Sequence, residues 1–532
     1  MRAPELAGHI RALLEAGVWE AARLHLLAGV QGARTRQDGL RLGEVVRDVP
    51  RELWGEPGWT RVLAWAALRA GDAALMREVL AGGAPGLEAF RAFLACQEGR
   101  WADALRLAER GLSGPDPGVA ARYRAQALVR SGQPGWREAY AGALRLTRGR
   151  DRAVTHLEYA GALGWSGEDV AARAEFAQAA AALAGDRWGE ALAWSNLGIT
   201  CERLGDLPGA ERALGQALRV SGGDDTGQHL VAARLGLGSV YRAYGEYARA
   251  RWAFQEGLRL AVNVEDRVQA LIGEARTLAL WGRSDEALAA LYDAAGQAGV
   301  LDPDSGPHRL FAHVAAVRLL LGDERGAREA LARAGETVHD ARHLGEVVRA
   351  ELLRRVGRAA GAVGALGSLE LRPSWVGELA RLFPDLFALV GVLALPPAPW
   401  VAAVNADGPI TVTMHGEPLP LRAARPEAAL LVMLVEHGGR LARERLQEML
   451  DLPGRDANAR RKEFSRVVGA LRAALGWPGS VVTVGGMVQL SRDVRWGLTL
   501  PPPERADLFC EGRRDPWVLD WRIDNAPLMK SG

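Results

Sequence analysis

The sequence is poor in cysteine and in lysine. Its three cysteines, Cys96, Cys201 and Cys510, lie far apart among 532 residues, and two of them fall within helical apolar patterns. A sparse, odd count without a secretion signal argues against a disulfide framework, so we expect a reducing, cytoplasmic location. Lysine occurs only as Lys462 and Lys530, and all other basic residues are arginines. We attach no function to that preference.

Long apolar runs and the motifs of common catalytic sites are also missing. No stretch approaches ~18 uninterrupted apolar residues, and the N-terminus has an amphipathic helix pattern, so no membrane contact is expected. Neither lysine follows a glycine, which excludes a GxxxxGK phosphate-binding loop, and no HExxH, GxSxG or paired CxxC motif occurs. His339 and His343 share a helix face but lack a third ligand, which favours two surface histidines. We predict no enzyme activity, no cofactor and no metal site.

Charge is balanced overall and slightly positive near the C-terminus. The net charge is +2, and residues 1–399 contain 48 basic and 48 acidic residues. Residues 400–500 contain 13 basic and 10 acidic residues. A cluster of basic residues on one domain is the pattern typical of nucleic-acid binding, although this excess is small.

The first 395 residues contain an internal repeat. A glycine recurs between two amphipathic helix patterns at ten positions, and from Gly99 onward the steps are 33 to 40 residues. These glycines are Gly17, Gly71, Gly99, Gly132, Gly167, Gly205, Gly245, Gly282, Gly322 and Gly357. Residues 1–395 are therefore predicted to form about 9–10 helix pairs, irregular near residues 29–60, where RDVPRELWGEPGW interrupts the helical period.

The clearest unit, residues 194–218, reads WSNLGITCERLGDLPGAERALGQAL. It resembles the tetratricopeptide repeat, in which small residues let two helices pack closely and aromatic residues fill the gaps. The resemblance implies an α-solenoid in which stacked units bury a continuous core. It also implies a protein or peptide partner on the concave surface, or homo-oligomer formation. Aromatic residues at these positions are predicted to be core residues: Trp101, Trp188, Trp194, Trp252 and Trp281.

A different pattern begins after a proline-rich linker at residues 396–400. Residues 401–495 contain short strand-like runs, three helices at 426–437, 441–450 and 456–475, and a hairpin at 481–490. The hairpin turn is Gly485-Gly486, a two-residue turn that favours antiparallel strands. Residues 496–532 form a tail that contains Phe509, Trp517, Leu519 and Trp521, which are too apolar for a free tail, so we expect it to pack back.

The helix predicted at residues 456–475 has one apolar and one basic face. The apolar stripe comprises Phe464, Val467, Val468, Leu471 and Leu475. The opposite face carries Asn458, Lys462, Ser465 and Arg466. A helix with one buried face and long cationic and amide side chains on the other suits a DNA major groove. An ordinary solvated amphipathic helix is the alternative.

Three segments of this region resemble the DNA-binding domain of the OmpR-like winged-helix family, and most of all its antibiotic-regulatory-protein (SARP) branch. They are HGGRLARERLQEML, ARRKEFSRVVGALRAALG and VVTVGGMVQL. That branch pairs this domain with a tetratricopeptide-type bacterial transcriptional activator domain, and the tail segment DLFCEGRRDPWVLDWR resembles the start of that domain. The resemblance implies that helix 456–475 binds the major groove and that the hairpin contacts the neighbouring backbone or minor groove. Ala442, Asp451 and Met487 replace the usual N-cap hydroxyl, tryptophan and aromatic residue, and the domain order is reversed.

These observations predict a mostly α fold: a tetratricopeptide-like α-solenoid followed by a small α+β winged helix-turn-helix domain. The expected function is a DNA-binding transcription regulator whose array binds a partner or effector, or mediates oligomerisation. The alternative is a protein-interaction scaffold whose winged helix contacts protein. The residues expected at base edges are Asn458, Lys462, Ser465 and Arg466. Those expected at the phosphates of duplex DNA are Arg455, Arg460, Arg461, Gly485 and Gly486.

Overall fold

The computed structural model describes residues 3–221, 227–298, 308–334, 340–369, 373–397, 400–453 and 456–527. The chain divides into two compact units, residues 1–204 with 212–233, and residues 205–211 with 234–532. No helix in the described ranges is both long and apolar enough to cross a membrane.

Helices make up the chain as far as residue 388. They are α1 (Ala3–Glu15), α2 (Trp19–Gly32), α3 (Arg36–Asp48), α4 (Pro57–Ala70), α5 (Ala73–Leu80), α6 (Glu88–Gln97), α7 (Trp101–Gly111), α8 (Pro117–Arg130), α9 (Trp136–Leu146), α10 (Gly149–Trp165), α11 (Asp169–Ala182), α12 (Arg187–Arg203), α13 (Leu207–Val220), α14 (Gly227–Tyr244), α15 (Tyr247–Leu260), α16 (Val264–Leu280), α17 (Ser284–Ala298), α18 (His308–Leu320), α19 (Glu324–Ala334), α20 (Asp340–Arg355), α21 (Ala359–Gly367), α22 (Pro373–Leu382) and α23 (Pro384–Ala388).

The ten turn glycines of the sequence pattern each lie between two of these helices. All ten adopt positive φ, from 66° to 85°, the left-handed region that a Cβ atom disfavours. At nine of the ten, the residue after the glycine donates its N–H five residues back, as from Asp72 to the Ala67 carbonyl at 3.1 Å. This bond satisfies a free carbonyl at the helix end. The glycines therefore end one helix and direct the chain into the next, and their predicted positions are confirmed.

Residues 29–60 combine an additional helix with the predicted interruption of the helical period. α3 forms because Thr35 and Asp38 cap its first turn: Thr35 Oγ1 accepts the Asp38 N–H at 3.1 Å, and the Asp38 carboxylate accepts the Thr35 N–H at 3.0 Å. α3 ends at Asp48, and a 3-10 turn at Arg51–Gly55 separates it from α4. α3 also approaches α4 closely, since a Cβ at Gly39 would lie 2.1 Å from the Arg69 carbonyl oxygen.

The five tryptophans predicted as core residues are all partly buried: Trp101, Trp188, Trp194, Trp252 and Trp281. Trp101 and Trp281 pack against the hydrophobic cores of the helix array. Trp252 packs against the core of the C-terminal domain, and Trp188 lines a cavity of the first unit.

The C-terminal domain, residues 400–527, begins with a four-stranded sheet. Its strands are β1 (Val401–Asn405), β2 (Thr411–Met414), β3 (Glu417–Pro418) and β7 (Arg495–Thr499), in the order β3-β2-β1-β7. β1 pairs antiparallel with β2 and parallel with β7. The predicted domain end at residue 495 thus falls inside a strand. Trp400, assigned to the linker, is 5% exposed and belongs to this core.

The rest of the domain comprises helices α24 (Pro426–Glu436), α25 (Arg443–Met449) and α26 (Ala457–Leu475), and strands β4 (Arg440–Ala442), β5 (Val481–Val484) and β6 (Met487–Leu490). β4, β6 and β5 form a three-stranded sheet in that order. The predicted hairpin is confirmed, with Val484 opposite Met487 across the Gly485-Gly486 turn. The second helix is shorter than predicted, because residues 440–442 pair with the hairpin instead.

The tail contributes to the core of this domain through a short helix, α27 (Pro516–Asn525). Phe509 and Trp517 are buried, and Trp521 stacks on Phe509 with 3.9 Å between ring centroids. Leu519 is exposed, so the expectation that it packs back is wrong.

Cys96, Cys201 and Cys510 are free and buried. Burial raises the pKa of the Cys510 thiol to about 12, which disfavours the reactive thiolate.

Candidate functional site

α26 buries one face and exposes the other along its length. Asp456 caps it, with its carboxylate accepting the Ala459 N–H at 2.7 Å, and Gly476 ends it in the left-handed conformation. The predicted apolar stripe is confirmed as its buried set: Phe464, Val467, Val468, Leu471 and Leu475. α26 packs this stripe against α24, whose residues 428–434 are all buried.

The structure exposes the predicted contact residues on α26 and at the neighbouring hairpin tip. Those that are exposed are Asn458, Arg460, Arg461, Lys462, Ser465, Arg466, Gly485 and Gly486. Arg455 lies outside the described residues. Arg460, Arg461 and Lys462 form no ion pair within the described ranges, so three adjacent cations face solvent.

Two of the residues expected at base edges are already engaged within the helix. The Arg466 guanidinium donates to both carboxylate oxygens of Glu463, at 2.9 and 2.5 Å. The hydrogen bond raises the pKa of Arg466 and lowers the pKa of Glu463. The Ser465 hydroxyl donates to the Arg461 carbonyl at 3.0 Å. Either side chain must leave this partner before it contacts a ligand, which has a free-energy cost.

The hairpin offers the candidate site backbone groups rather than charged side chains. Residues 481–490 contain no charged side chain, and Val484 beside the turn is 63% exposed. The Gly486 carbonyl accepts the N–H of Arg443, the first residue of α25, at 2.9 Å. Arg443 also lies over the Phe464 ring, 5.7 Å from its centroid. Sequence reasoning missed Arg443, which adds a partly exposed cation between the hairpin and α26.

The C-terminal end of α26 is anchored to the repeat helix α15. A Cβ at Gly476 would lie 3.1 Å from Nη2 of Arg249 on α15, and the guanidinium is 5.9 Å from the Trp477 ring centroid. Arg249 is buried and donates to Glu246 Oε2 at 3.0 Å and to Met414 Sδ at 3.4 Å. Burial opposes its charge, but Tyr241 and the carboxylates of Glu246 and Glu211 outweigh that effect and raise the pKa of Arg249.

The turn after β2 makes a second contact with the same repeat. His415 stacks on Tyr244 with 4.1 Å between ring centroids, and its Nε2 contacts the fully buried carboxylate of Glu246. Pro397 covers Gly245, the turn glycine between α14 and α15. These contacts hold one side of the domain against the repeat and leave the cationic, N-terminal half of α26 exposed.

The first helices of the repeat pairs in the second unit are covered by the chain itself. α22 lies across them, and its Glu378 is 2% exposed. Arg242 of α14 donates to Glu378 Oε1 at 2.9 Å, and Arg276 of α16 donates to Oε2 at 2.6 Å. Leu379 and Leu382 pack with α16 and α18 around a small void. We call this surface the inner face of the second unit.

The corresponding first helices of the first unit enclose a cavity instead. The cavity has a volume of about 440 Å³ and is lined by residues of α4, α6, α8, α10 and α12, together with Arg36 of α3. We call this surface the inner face of the first unit.

In the part of the chain that the structure describes, no three His, Cys, Asp or Glu side chains are grouped to hold a metal ion. His339 lies outside that part, and His343 is partly buried on α20.

No protein-family model matches the chain, and no curated protein matches it. Among solved structures, it is similar to a tetratricopeptide repeat protein from Parabacteroides merdae, with 15% identity, a TM-score of 0.40, and coverage of 50% of this chain and 96% of that chain. It is also similar to YrrB, a TPR protein with an unusual peptide-binding site, with 21% identity, a TM-score of 0.25, and coverage of 37% and 91%.

A third similar structure is a Signal Transduction ATPase with Numerous Domains (STAND) protein with a tetratricopeptide repeat sensor, from Pyrococcus horikoshii. It has 15% identity and a TM-score of 0.39, and the match covers 67% of this chain and 53% of that chain. These similar structures are tetratricopeptide-repeat proteins. All three TM-scores are below 0.5, so the helix pairs described above rest on the contacts of this chain alone.

Proposed function

We propose that this protein is a cytoplasmic transcription regulator that binds duplex DNA through its C-terminal domain, which acts as a winged helix. The repeat array serves as its partner- or effector-binding module, and the protein is not an enzyme. The observation that carries the proposal is the exposed cluster of Arg460, Arg461 and Lys462, which forms no ion pair with any described residue, on the half of α26 that the repeat leaves open. Exposed cations that reach the phosphates supply most of the affinity of non-specific DNA binding.

The geometry of the domain supports the same function. The antiparallel hairpin lies beside α26, joined to it through Arg443, so a duplex lying along α26 meets the hairpin backbone as well. Asn458 occupies the first turn of α26, the part of a recognition helix that contacts base edges. Its amide pairs well with adenine in the major groove.

The test is a titration of the full chain with a labelled mixed-sequence duplex at several salt concentrations. Replacing Arg460, Arg461 and Lys462 together by Gln is expected to lower the slope of log K against log salt by about 2–3, since each phosphate contact contributes about 0.9. Glu463→Gln is expected to strengthen DNA binding, because it removes a negative charge and releases Arg466.

Arg466→Ala is expected to cost about 1–3 kcal/mol of DNA-binding free energy and to relax sequence preference.

Two matched variants serve as controls. Arg325→Gln removes an exposed arginine of α19, and Glu448→Gln removes an exposed carboxylate of α25 that also pairs with an arginine. Neither is expected to change the affinity. If the wild-type chain shows no salt-dependent binding of any duplex at low ionic strength, the proposal is wrong.

A scaffold function is favoured by one observation, the absence of charge in residues 481–490 combined with the exposed Val484. An apolar hairpin tip suits a protein surface better than a phosphate backbone. In that case the triple Gln variant leaves DNA binding unchanged, and Val484→Asp abolishes capture of a protein partner.

A further inference from the structure

The inner face of the first unit joins parts of the chain that are far apart in sequence. The backbone N–H of Arg36 donates to Asp186 Oδ1 at 3.0 Å, across 150 positions. The Arg36 guanidinium lies over Trp188, 4.8 Å from the ring centroid. The cavity between them, at about 440 Å³, falls in the size range of small-molecule sites in proteins.

The charges around this cavity do not balance. Four arginines line it, namely Arg36, Arg69, Arg122 and Arg150. Three of them pair with largely buried carboxylates: Arg69 with Asp151, Arg122 with Glu158, and Arg150 with Asp186. Arg36 forms no ion pair with any described residue. The cavity therefore carries one cation in excess, in a place where partial burial strengthens its attraction for an anion.

The cavity also has an apolar wall. It comes from Phe93, Leu157 and Trp188, so an aromatic or other apolar body can pack there. The partly exposed side chain of Gln126 lies next to this wall in the lining.

In the second unit, the chain itself supplies a carboxylate to a pair of arginines. There α22 inserts a carboxylate, Glu378, between Arg242 and Arg276 of two first helices, and Trp375 lies 4.2 Å from the Arg276 guanidinium. No described segment inserts in this way into the inner face of the first unit. A bound anion beside Arg36 would take the place that Glu378 has in the second unit.

We propose that this cavity binds a small organic carboxylate: a monoanion with an aromatic or other apolar body. The carboxylate pairs with Arg36, and the apolar body packs against Phe93 and Trp188. The site is separate from α26, and the proposal does not depend on DNA binding.

Dansyl-glycine is a suitable probe because it combines a carboxylate with an aromatic body that fluoresces more strongly when buried. Titration of the full chain is expected to show one saturable site, and hippurate, a second aromatic carboxylate, is expected to displace the probe. The methyl ester of dansyl-glycine lacks the charge and is expected to bind at least about tenfold more weakly.

Arg36→Gln is expected to weaken dansyl-glycine binding about tenfold. The matched control is Arg106→Gln, an arginine of α7 that is exposed and does not line the cavity; it is expected to bind like wild type. The proposal is overturned if the ester binds as well as the acid, if hippurate does not compete, or if Arg36→Gln binds like wild type.

Discussion

The inner faces of both units carry arginines, but these arginines differ in burial and in whether a carboxylate pairs with them. In the second unit, α22 covers the first helices and Glu378 neutralises two buried arginines. In the first unit, no described helix covers them, and Arg36 keeps an unpaired charge beside a cavity of about 440 Å³. An arginine-rich helix face is thus a structural element when the chain supplies the carboxylate and a candidate ligand site when it does not.

Burial explains why the loss of a charged partner is expected to destabilise the two inner faces by different amounts. Arg242 and Glu378 are 3% and 2% exposed, so water cannot replace either partner. A buried charge that loses its partner is strongly destabilising, whereas an arginine in contact with solvent loses little. The comparison therefore predicts effects of different size for replacements of the same chemical type.

The largest effect is expected for Glu378→Ala. It leaves Arg242 buried and Arg276 largely buried without their carboxylate, which costs about 3–5 kcal/mol of the free energy of unfolding of the second unit. Urea denaturation, with hydrogen exchange followed on α22, measures the loss. Glu329→Ala removes an exposed carboxylate that pairs with Arg325 on α19 and is expected to cost less than about 0.5 kcal/mol. Equal losses in the two variants would show that α22 does not depend on its buried charge.

A smaller effect is expected on acidification. Burial alone would raise the pKa of Glu378, but the charges of Arg242 and Arg276 outweigh it, so its pKa lies below the usual 4.5. The stabilisation from this ion pair is therefore complete above pH 4.5 and is lost as pH falls through the lower pKa of the folded state. The effect is smaller than in Glu378→Ala because a neutral carboxyl still forms hydrogen bonds.

The measurement is the urea midpoint of wild type and of Glu378→Gln as a function of pH. Since all other carboxyl groups are common to both proteins, their difference isolates Glu378. The difference is expected to shrink as pH falls below 4.5; a constant difference would contradict the assignment.

The smallest effect is expected for the stability of Arg36→Gln. Without a carboxylate partner, its side chain contributes only the contact with Trp188, about 0.5 kcal/mol for a partly exposed cation–π pair. The unfolding midpoint of the first unit should therefore stay close to that of wild type, while dansyl-glycine binding decreases. A loss of several kcal/mol would mean that Arg36 is a structural residue like Arg242.

Sequence reasoning succeeded where the signal is local. Each turn glycine ends a helix through its own φ and through bonds within six residues, and the apolar stripe of α26 follows from its 3.6-residue period. It failed where distant residues decide: Trp400 was assigned to a linker, and the strand Arg495–Thr499 was separated from the sheet that it joins. It also missed a local signal, the capping of α3 by Thr35 and Asp38, which lie three positions apart. The bond between Arg466 and Glu463 was within reach of the sequence, since the two lie three positions apart on one helix.

The sequence by itself determined the helical repeat, the change of pattern near residue 396 and the basic face of α26, because these depend on spacing between neighbours along the chain. Only the tertiary structure decided which charges are matched. Arg242 meets Glu378 across 136 positions, and Arg36 approaches Asp186 across 150. Among so many arginines of identical chemistry, no local pattern distinguishes one that will be buried against a carboxylate from one that will keep its charge. That difference depends on burial, which is a property of the packed helices.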